Sequence, residues 1–406
     1  MAFSQGISGL GVAAANLDVI GNNIANSSTI GFKSAAATFQ DVYAGSRIGL
    51  GASVAGVTQN FTQGVTQTSS RPLDVAILNG DGFYRLTSET GEVMYSRNGQ
   101  FTRDKDGYIV NTQGLRLTGY GVNANGTING GTPSAIQIPT APMTPKATTN
   151  VKAEFNLDAR LATPTKTPFN SADSDTYNYS NAVGPVYDSL GNPHDVAVYF
   201  VKAATPANTW NMYGTSDGAP LSGGAALSTL TFDSSGKMTA PASGALNIGP
   251  ITFTNGAAPL SAKVDLSGTT QFGSANGMSK LAQDGYRSGE LTSFSVNPDG
   301  TLTGKFSNEQ TQLLGQVVLS SFANPNGLEP KGNNVWAETL ASGTALTGTP
   351  GEGTKLGSLQ AGALESSNVD LTSELVNLIV AQRNYQANAQ TVKTQDQVMQ
   401  TLMNIR

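Results

Sequence analysis

The run from Asp370 to Arg406 constrains the fold more than any other stretch, because it alone sustains a long helical apolar period. Leu371, Leu375, Leu378, Tyr385, Ala389, Val392, Met399 and Met403 recur at steps of four and three, interrupted by Gln382 and Asp396. That spacing predicts a coiled-coil seam. Asp370 is placed to cap the helix, and Glu374 falls in the first turn, where a carboxylate suits the helix dipole. At about 1.5 Å per residue the helix is on the order of 50 Å long and cannot bury its seam alone. The partner is at the other end of the chain, where Phe3, Ile7, Leu10, Ala14, Leu17 and Ile24 follow the same alternation, broken only by Gly21. Residues 1–26 and 370–406 are therefore expected to pair antiparallel as a coiled-coil domain, with Met1 and Arg406 at the same end. Gly6, Gly9, Gly11 and Gly21 each cost about 1 kcal/mol relative to alanine in a helix. The N-terminal helix is thus expected to be marginal in an isolated chain and to form when neighbouring molecules supply contacts.

Between the ends the pattern is that of β structure. Residues 34–70 are rich in Gly, Ala, Thr and Gln with scattered Phe39, Tyr43, Val54, Val57 and Phe61, too few for a core of their own. We expect an extended connector over 27–72, rejoined by 357–369. From Leu73 short strands alternate with turns: Leu73 to Leu78, Phe83 to Leu86, and Val93 to Tyr95 with Phe101 about Asn98–Gly99, a hairpin signal. Pro133, Pro139, Pro142 and Pro145 mark a boundary near Lys146. Strands of a second β-unit follow, Val196 to Val201 among them. From Asp284 the strand-and-turn alternation of residues 73–146 returns, with Phe294 and Val296 facing Leu302 and Phe306 across Asn297–Gly300. The expected fold is a mainly β multi-domain protein with terminal helices. Its β-domains are nested: an inner one over 73–146 and 284–356, and an outer one, 147–283, inserted in it.

Composition excludes several functions. Lys and Arg number 23 against 28 Asp and Glu, and no basic cluster occurs, so nucleic acid is not an expected partner. The longest apolar runs fall far short of the roughly 20 residues of a membrane span. With no cysteine there is neither disulfide nor thiolate metal site, and no basic segment with an apolar core and cleavage site marks a signal peptide. A Ser-His-Asp device or a histidine metal cluster would have only His194 to use, and Asn192-Pro193-His194-Asp195 reads as a surface turn. Asp104 and Asp106 before Gly107 resemble the start of a calcium loop, but the closing glutamate is missing, so they read as turn residues. We expect no catalytic, metal or cofactor site and no enzyme.

After the first helix the sequence reads Asn22-Asn23-Ile24-Ala25-Asn26-Ser27-Ser28-Thr29-Ile30-Gly31-Phe32-Lys33. Locally this is a helix end and a turn in which Gly31 supplies positive φ. The dense spacing of Asn22, Asn23, Ala25, Asn26, Thr29, Gly31, Phe32 and Lys33 resembles the N-terminal signature of the bacterial flagellar rod and hook axial proteins. Similar to that family as well are Tyr95-Ser96-Arg97-Asn98-Gly99-Gln100-Phe101, Phe322-Ala323-Asn324-Pro325-Asn326-Gly327-Leu328 ahead of Trp336, and Gly362 to Leu371 with Ala381-Gln382-Arg383-Asn384-Tyr385. The likeness spans both ends and the domain adjoining them, leaving the middle third without support. Chain length favours the hook branch over the shorter distal-rod relatives, and a secreted carbohydrate-active enzyme or adhesin built on the β-domains is the remaining alternative.

The resemblance implies a structural subunit of a helical homopolymer outside the cell, a flexible joint that transmits torque from rod to filament. Implied partners are the flagellar rod, the hook cap, the hook–filament junction proteins and the type III export apparatus. It also gives meaning to the face of the C-terminal helix opposite the seam, where Asn377, Asn384, Gln390, Thr394 and Gln397 are neutral and only Arg383 is charged. That face either packs on neighbouring helices or lines a channel, with Asn384, Gln390, Thr394 and Gln397 as the channel residues.

Overall fold

The computed structural model describes residues 2–42, 49–123 and 125–404; Met1, Tyr43 and Arg406 lie outside the described residues. The protein is mainly β, with one long helix near each end: α1 (Ala2–Ala25) and α2 (Leu371–Asn404). It divides into two compact units. The first comprises residues 1–140, 293–305 and 311–406, and the second 141–292 and 306–310.

In the first unit the Gly/Ala/Thr/Gln-rich run pairs with itself. Strands β1 (Ala35–Val42) and β2 (Gly51–Gln59) form an antiparallel ribbon, with Ala35 opposite Gln59 and Val42 opposite Gly51. An extended chain without apolar weight still satisfies its backbone groups by folding back on itself, and the ribbon stays largely exposed because it brings no core. The central sheet runs in the order Thr311–Val317, Arg116–Tyr120, Phe83–Thr87, Val93–Ser96, Val335–Ala337 and Glu329–Gly332, antiparallel throughout. Phe83, Tyr95, Phe322 and Trp336 pack edge to face at 4.7–5.9 Å, and Phe61 joins them. The Trp336 Nε1 donates to the Gln59 Oε1 at 2.9 Å and so ties the ribbon to this core.

Two local expectations meet different fates. The turn at Asn297–Gly300 forms, with the Asn297 N–H donating to Thr301 O and Gly300 at φ +80°. The hairpin about Asn98–Gly99 does not. Val93–Ser96 pairs instead with Phe83–Thr87 and Val335–Ala337. The Gly99 carbonyl accepts from the Val75 N–H at 3.0 Å, and a Cβ at Gly99 would collide with the Val75 carbonyl. This glycine answers to a close backbone approach, not to a turn.

The second unit is a β-sandwich. Asn150–Asp158 lies at the centre of one sheet, antiparallel to Gly277–Gln283 and parallel to Leu260–Asp265. The other sheet runs Tyr179–Tyr187, Pro193–Lys202, Thr209–Ser216, Ser228–Phe232 and Met238–Ala240. Strict alternation over Asn150–Asp158 turns Val151, Ala153, Phe155 and Leu157 inward, to a core shared with Val198, Phe200, Trp210, Met212 and Leu230. The Trp210 Nε1, wholly buried, donates to the Gln271 Oε1 at 2.9 Å. The two ends of this unit run side by side. Lys146 and Tyr286 exchange backbone hydrogen bonds at 3.0 Å, and the Met143 N–H reaches Gly289 O at 2.7 Å.

Candidate functional site

With no cluster of three or more metal-ligating side chains among the described residues, the region with unusual chemistry is the place where the two ends of the chain join the body of the first unit. Four segments converge there. The Lys33 Nζ has no exposed surface and sits 2.6 Å from the Glu365 Oε1, while also donating to Thr62 O at 2.8 Å. The same Oε1 accepts from the Gly64 N–H at 2.8 Å. Arg97, equally buried, brings Nη1 to 3.9 Å from the Glu365 Oε2, donates to Gly80 O at 3.2 Å and lies 4.8 Å above the Phe83 ring. One carboxylate thus serves two cations, one arriving just after α1 and the other from the sheet, while the carboxylate itself comes just before α2.

Burial governs the protonation of these groups. Desolvation pushes the Lys33 ammonium below its ordinary value, and the Arg97 charge acts in the same sense, against the attraction of Glu365. Arg97 is lowered by burial for the same reason. The Tyr84 hydroxyl, fully buried and donating to Val75 O at 2.5 Å, is pushed well above 10 by burial and by the Glu365 charge.

The residues that resemble the family signature build the approach to this cluster. α1 stops at Ala25, and the Asn26 side chain folds back on Asn22, donating to its O at 3.0 Å and its Oδ1 at 2.9 Å. The Thr29 hydroxyl donates to the Asn26 Oδ1 at 3.1 Å. Gly31 turns at φ +69°, as the local reading requires, and its N–H donates to Glu365 O at 2.8 Å. Asn23 is buried and acts as a strand neighbour to Ala35: its Nδ2 donates to Ala35 O at 2.8 Å and its Oδ1 accepts the Ala35 N–H at 2.9 Å. Asn368 does the same from the other end, accepting the Ser34 N–H and donating to Asn60 O, both at 2.8 Å. Asn22 and Ala25 stay exposed, and Phe32 is half-buried.

α1 and α2 lie antiparallel, with Gly6 beside Val392, Gly9 beside Asn388, and Asn23 donating to the Glu374 Oε1 at 3.3 Å. At helical rise, Ala2 falls opposite about residue 396, so Val398, Met399 and Met403, all exposed, extend past the start of α1. Asp370 caps α2, accepting the Thr372 N–H at 3.0 Å and the Ser373 hydroxyl at 2.8 Å. The residues of α1 most deeply covered are Gly6, Ala13 and Ile20, seven apart, and Asn23 three beyond. Of the large apolar residues that define the sequence pattern, Leu10, Leu17, Ile24, Leu378 and Val392 are half-buried. Phe3, Ile7, Leu371, Leu375, Tyr385, Met399 and Met403 are exposed, as are Val376, Ile379 and Val380, which the pattern did not single out. Asn384, Gln390, Thr394 and Gln397 are exposed as well.

Four family models match the chain in order. They are "Flagella basal body rod protein" over residues 5–33, "Flagellar hook protein FlgE/F/G D1 domain" over 77–154, "Flagellar basal body protein FlaE D2 domain" over 156–286 and "Flagellar basal body rod FlgEFG protein C-terminal" over 360–405. The flagellar hook protein FlgE of Escherichia coli K12 is 51% identical over 411 residues, with all of both chains covered. The chain belongs to the flagellar hook protein family. The hook protein of Borreliella burgdorferi is 32% identical, covering 99% of this chain and 98% of its own. A crystal structure of a Helicobacter pylori flagellar hook protein, FlgE2, shares the fold with a TM-score of 0.50 at 15% identity, over 74% of this chain and 99% of that one. This hook-family chain is a structural subunit of the flagellar hook, and the distal-rod and carbohydrate-active alternatives are not favoured. None of its helices is long and apolar enough, among the described residues, to cross a membrane.

Proposed function

We propose that the chain polymerises through its two terminal helices into a helical tube, a flexible joint outside the cell that passes torque from the flagellar rod to the filament. The observation that carries this is the state of α1 and α2 in a single chain: paired closely at Gly6 and Gly9, yet leaving Ile7, Leu371, Leu375, Val376, Ile379 and Met399 exposed. Apolar side chains in such a row call for a partner, and heterologous contacts between identical chains generate helices. In the tube the helices act as a coiled coil. The buried Lys33–Glu365–Arg97 cluster fixes them to the body, and the β-domains are nested, the outer inserted in the inner. The partners are further copies of the chain, the rod, the hook cap, the junction proteins and the type III exporter, which takes the chain unfolded and needs no cleavable signal peptide. No cofactor is required. Electron microscopy of the concentrated protein tests this: curved, flexible tubes are expected. A straight rigid rod would return the distal-rod reading, and a monomer that binds or cleaves glycans would return the carbohydrate-active one.

In that tube the neutral, exposed face of α2 carrying Asn384, Gln390, Thr394 and Gln397 lines the central channel. Amides and hydroxyls offer passing unfolded chains neither strong ion pairs nor extensive apolar contact. Gln390→Lys with Gln397→Lys is then expected to leave hooks in normal number while shortening filaments, more so at low salt, where charge is less screened. A double variant that fails to polymerise would place this face in helix packing, and filaments of normal length would remove both roles.

A further inference from the structure

At one end of the second unit three segments meet at His194, the single histidine of the chain. The Pro193–Lys202 strand presents it, so it is a strand residue and not the exposed turn residue that Asn192-Pro193-His194-Asp195 suggests; its side chain is only 13% exposed. Its Nδ1 lies 2.7 Å from the Asp217 Oδ2 and its Nε2 3.3 Å from the Asp188 Oδ2. The ring stacks on Phe253, centroids 3.8 Å apart. Asp188 is fully buried and also accepts from the Leu190 and Asn192 N–H groups, the Asn192 Nδ2 and, at 2.6 Å, the Asn255 Nδ2. Asp217 accepts the Asp195 N–H at 2.9 Å through its other oxygen.

Both partners of the ring are carboxylates, which only accept, and a neutral imidazole has one N–H to give. Only the imidazolium satisfies both bonds. Neither ring nitrogen is free to take a proton from a substrate, so the arrangement does not serve as a general base. We propose that His194 is a proton-operated tie: protonated, it fastens the Asp217 turn to the Asp188–Asn192 turn, and on losing its proton it lets go of Asp188 while keeping Asp217. The neutral ring keeps the shorter bond, Nδ1–H to Asp217, and turns the Nε2 lone pair on the Asp188 carboxylate, which repels it. Asp188 tolerates the loss because its other four donors remain. Beside the ring lies a cavity of about 410 Å³ lined by His194, Asp217, Leu221, Ile251 and Phe253.

The charges facing the ring are all acidic. They are Asp188 and Asp217 from two turns; Asp195, next along the strand, meets Asp217 only through its backbone N–H, the Phe253–Asn255 loop brings no charge, and Arg287 lies behind the first turn, its backbone against Gly191. Partial burial works against the charged ring, but the hydrogen bonds to Asp217 and Asp188 outweigh it and hold its pKa above 6.5. Since the folded value is the higher one, the tie contributes in full below the ordinary histidine pKa and is lost as pH rises through the raised value. Asp188 is held far below the ordinary carboxylate range by the Asn192, Asn255 and His194 bonds against its burial, and Asp217 is lowered likewise, so the tie fails at the acid end only when these carboxylates protonate.

Selectively labelled full-length chain tests this, because a lone histidine gives one imidazole resonance that composition alone assigns. The titration midpoint is expected above 6.5 and is expected to fall in Asp188→Asn and in Asp217→Asn. A midpoint one unit above the ordinary value corresponds to about tenfold preference for the charged ring. Amide exchange at Leu190 and Asn192, whose N–H groups bond Asp188, corrected for intrinsic rate, is expected to quicken between pH 6 and pH 9, and to lose that dependence in His194→Gln. The readings come from the unassembled chain and are independent of polymerisation. A wild-type midpoint at or below 6.5, or corrected exchange indifferent to pH, overturns the proposal.

Discussion

Glu365→Ala is expected to destabilise the first unit by about 3–5 kcal/mol, the range for removing one partner of a buried ion pair. Lys33→Met is expected to cost clearly less. The asymmetry follows from counting charges in the cluster. Without Glu365, Lys33 and Arg97 remain as two buried cations with only Asp81 near Arg97 as a counter-charge, and the Gly64 N–H loses its acceptor. Without Lys33, Arg97 and Glu365 remain as one cation and one anion, and the Gly64 bond survives. The chain offers its own reporters, since its two tryptophans fall one in each unit: Trp336 in the first and Trp210 in the second. In a Trp210→Phe background, urea unfolding followed by fluorescence reads the first unit alone. The urea midpoint should fall far for Glu365→Ala and less for Lys33→Met. Equal losses, or the reverse order, would mean that Lys33 and not Glu365 is the hub of the cluster.

That cluster was only half legible in the sequence. Lys33 stood out as the last residue of a dense signature, but neither it nor Arg97 nor Glu365 could be read as buried, because a charged side chain is by default a surface one. A usable signal was present only for Lys33, which follows Ile30-Gly31-Phe32 and precedes Ser34-Ala35. The strand Val196 to Val201 was easier. It forms within Pro193–Lys202, and a period of two turns Val196, Val198 and Phe200 into the core. Asn98–Gly99 misled because the same dipeptide suits a tight turn or a close approach of two backbones, and the second depends on Val75, which local sequence does not place. His194 misled for a related reason, since Asp217 and Phe253 come from distant segments.

The helix pairing shows what a pattern of large apolar residues leaves out. Pattern reading gives weight to large apolar residues, so it chose Phe3, Ile7, Leu10, Leu17 and Ile24 and counted the glycines as a cost. In the structure α1 comes closest to α2 at Gly6 and Gly9, and its most covered residues are Gly6, Ala13, Ile20 and Asn23, with Phe3 and Ile7 exposed beside them. Small residues let two helices approach closely, and their neighbours on either side are then left to meet other molecules. Two of the four glycines that weaken α1 as a helix, Gly6 and Gly9, lie where it comes closest to α2.

Gly6→Leu with Gly9→Leu is therefore expected to abolish polymerisation while leaving the body of the chain folded. A Cβ at position 6 would already lie 2.8 Å from the Val392 Cγ2, and one at position 9 would lie 2.6 Å from the Asn388 Oδ1. A single methyl could be met by rotating those side chains. A leucine at each cannot, and the two helix axes must separate. Separation breaks the register between the outward rows on α1 and α2, so that neighbouring copies no longer find one continuous surface. Gly11 and Gly21 supply the control, because a Cβ at either meets nothing within 4 Å. Gly11→Ala and Gly21→Ala should each strengthen α1 by about 1 kcal/mol and leave assembly intact. Sedimentation separates polymer from monomer, and Trp336 fluorescence verifies that the first unit remains folded. Normal polymer from the double leucine variant would remove close approach as the role of these glycines. Loss of polymer in Gly11→Ala would show instead that α1 tolerates no change at all, whichever way the side chain points.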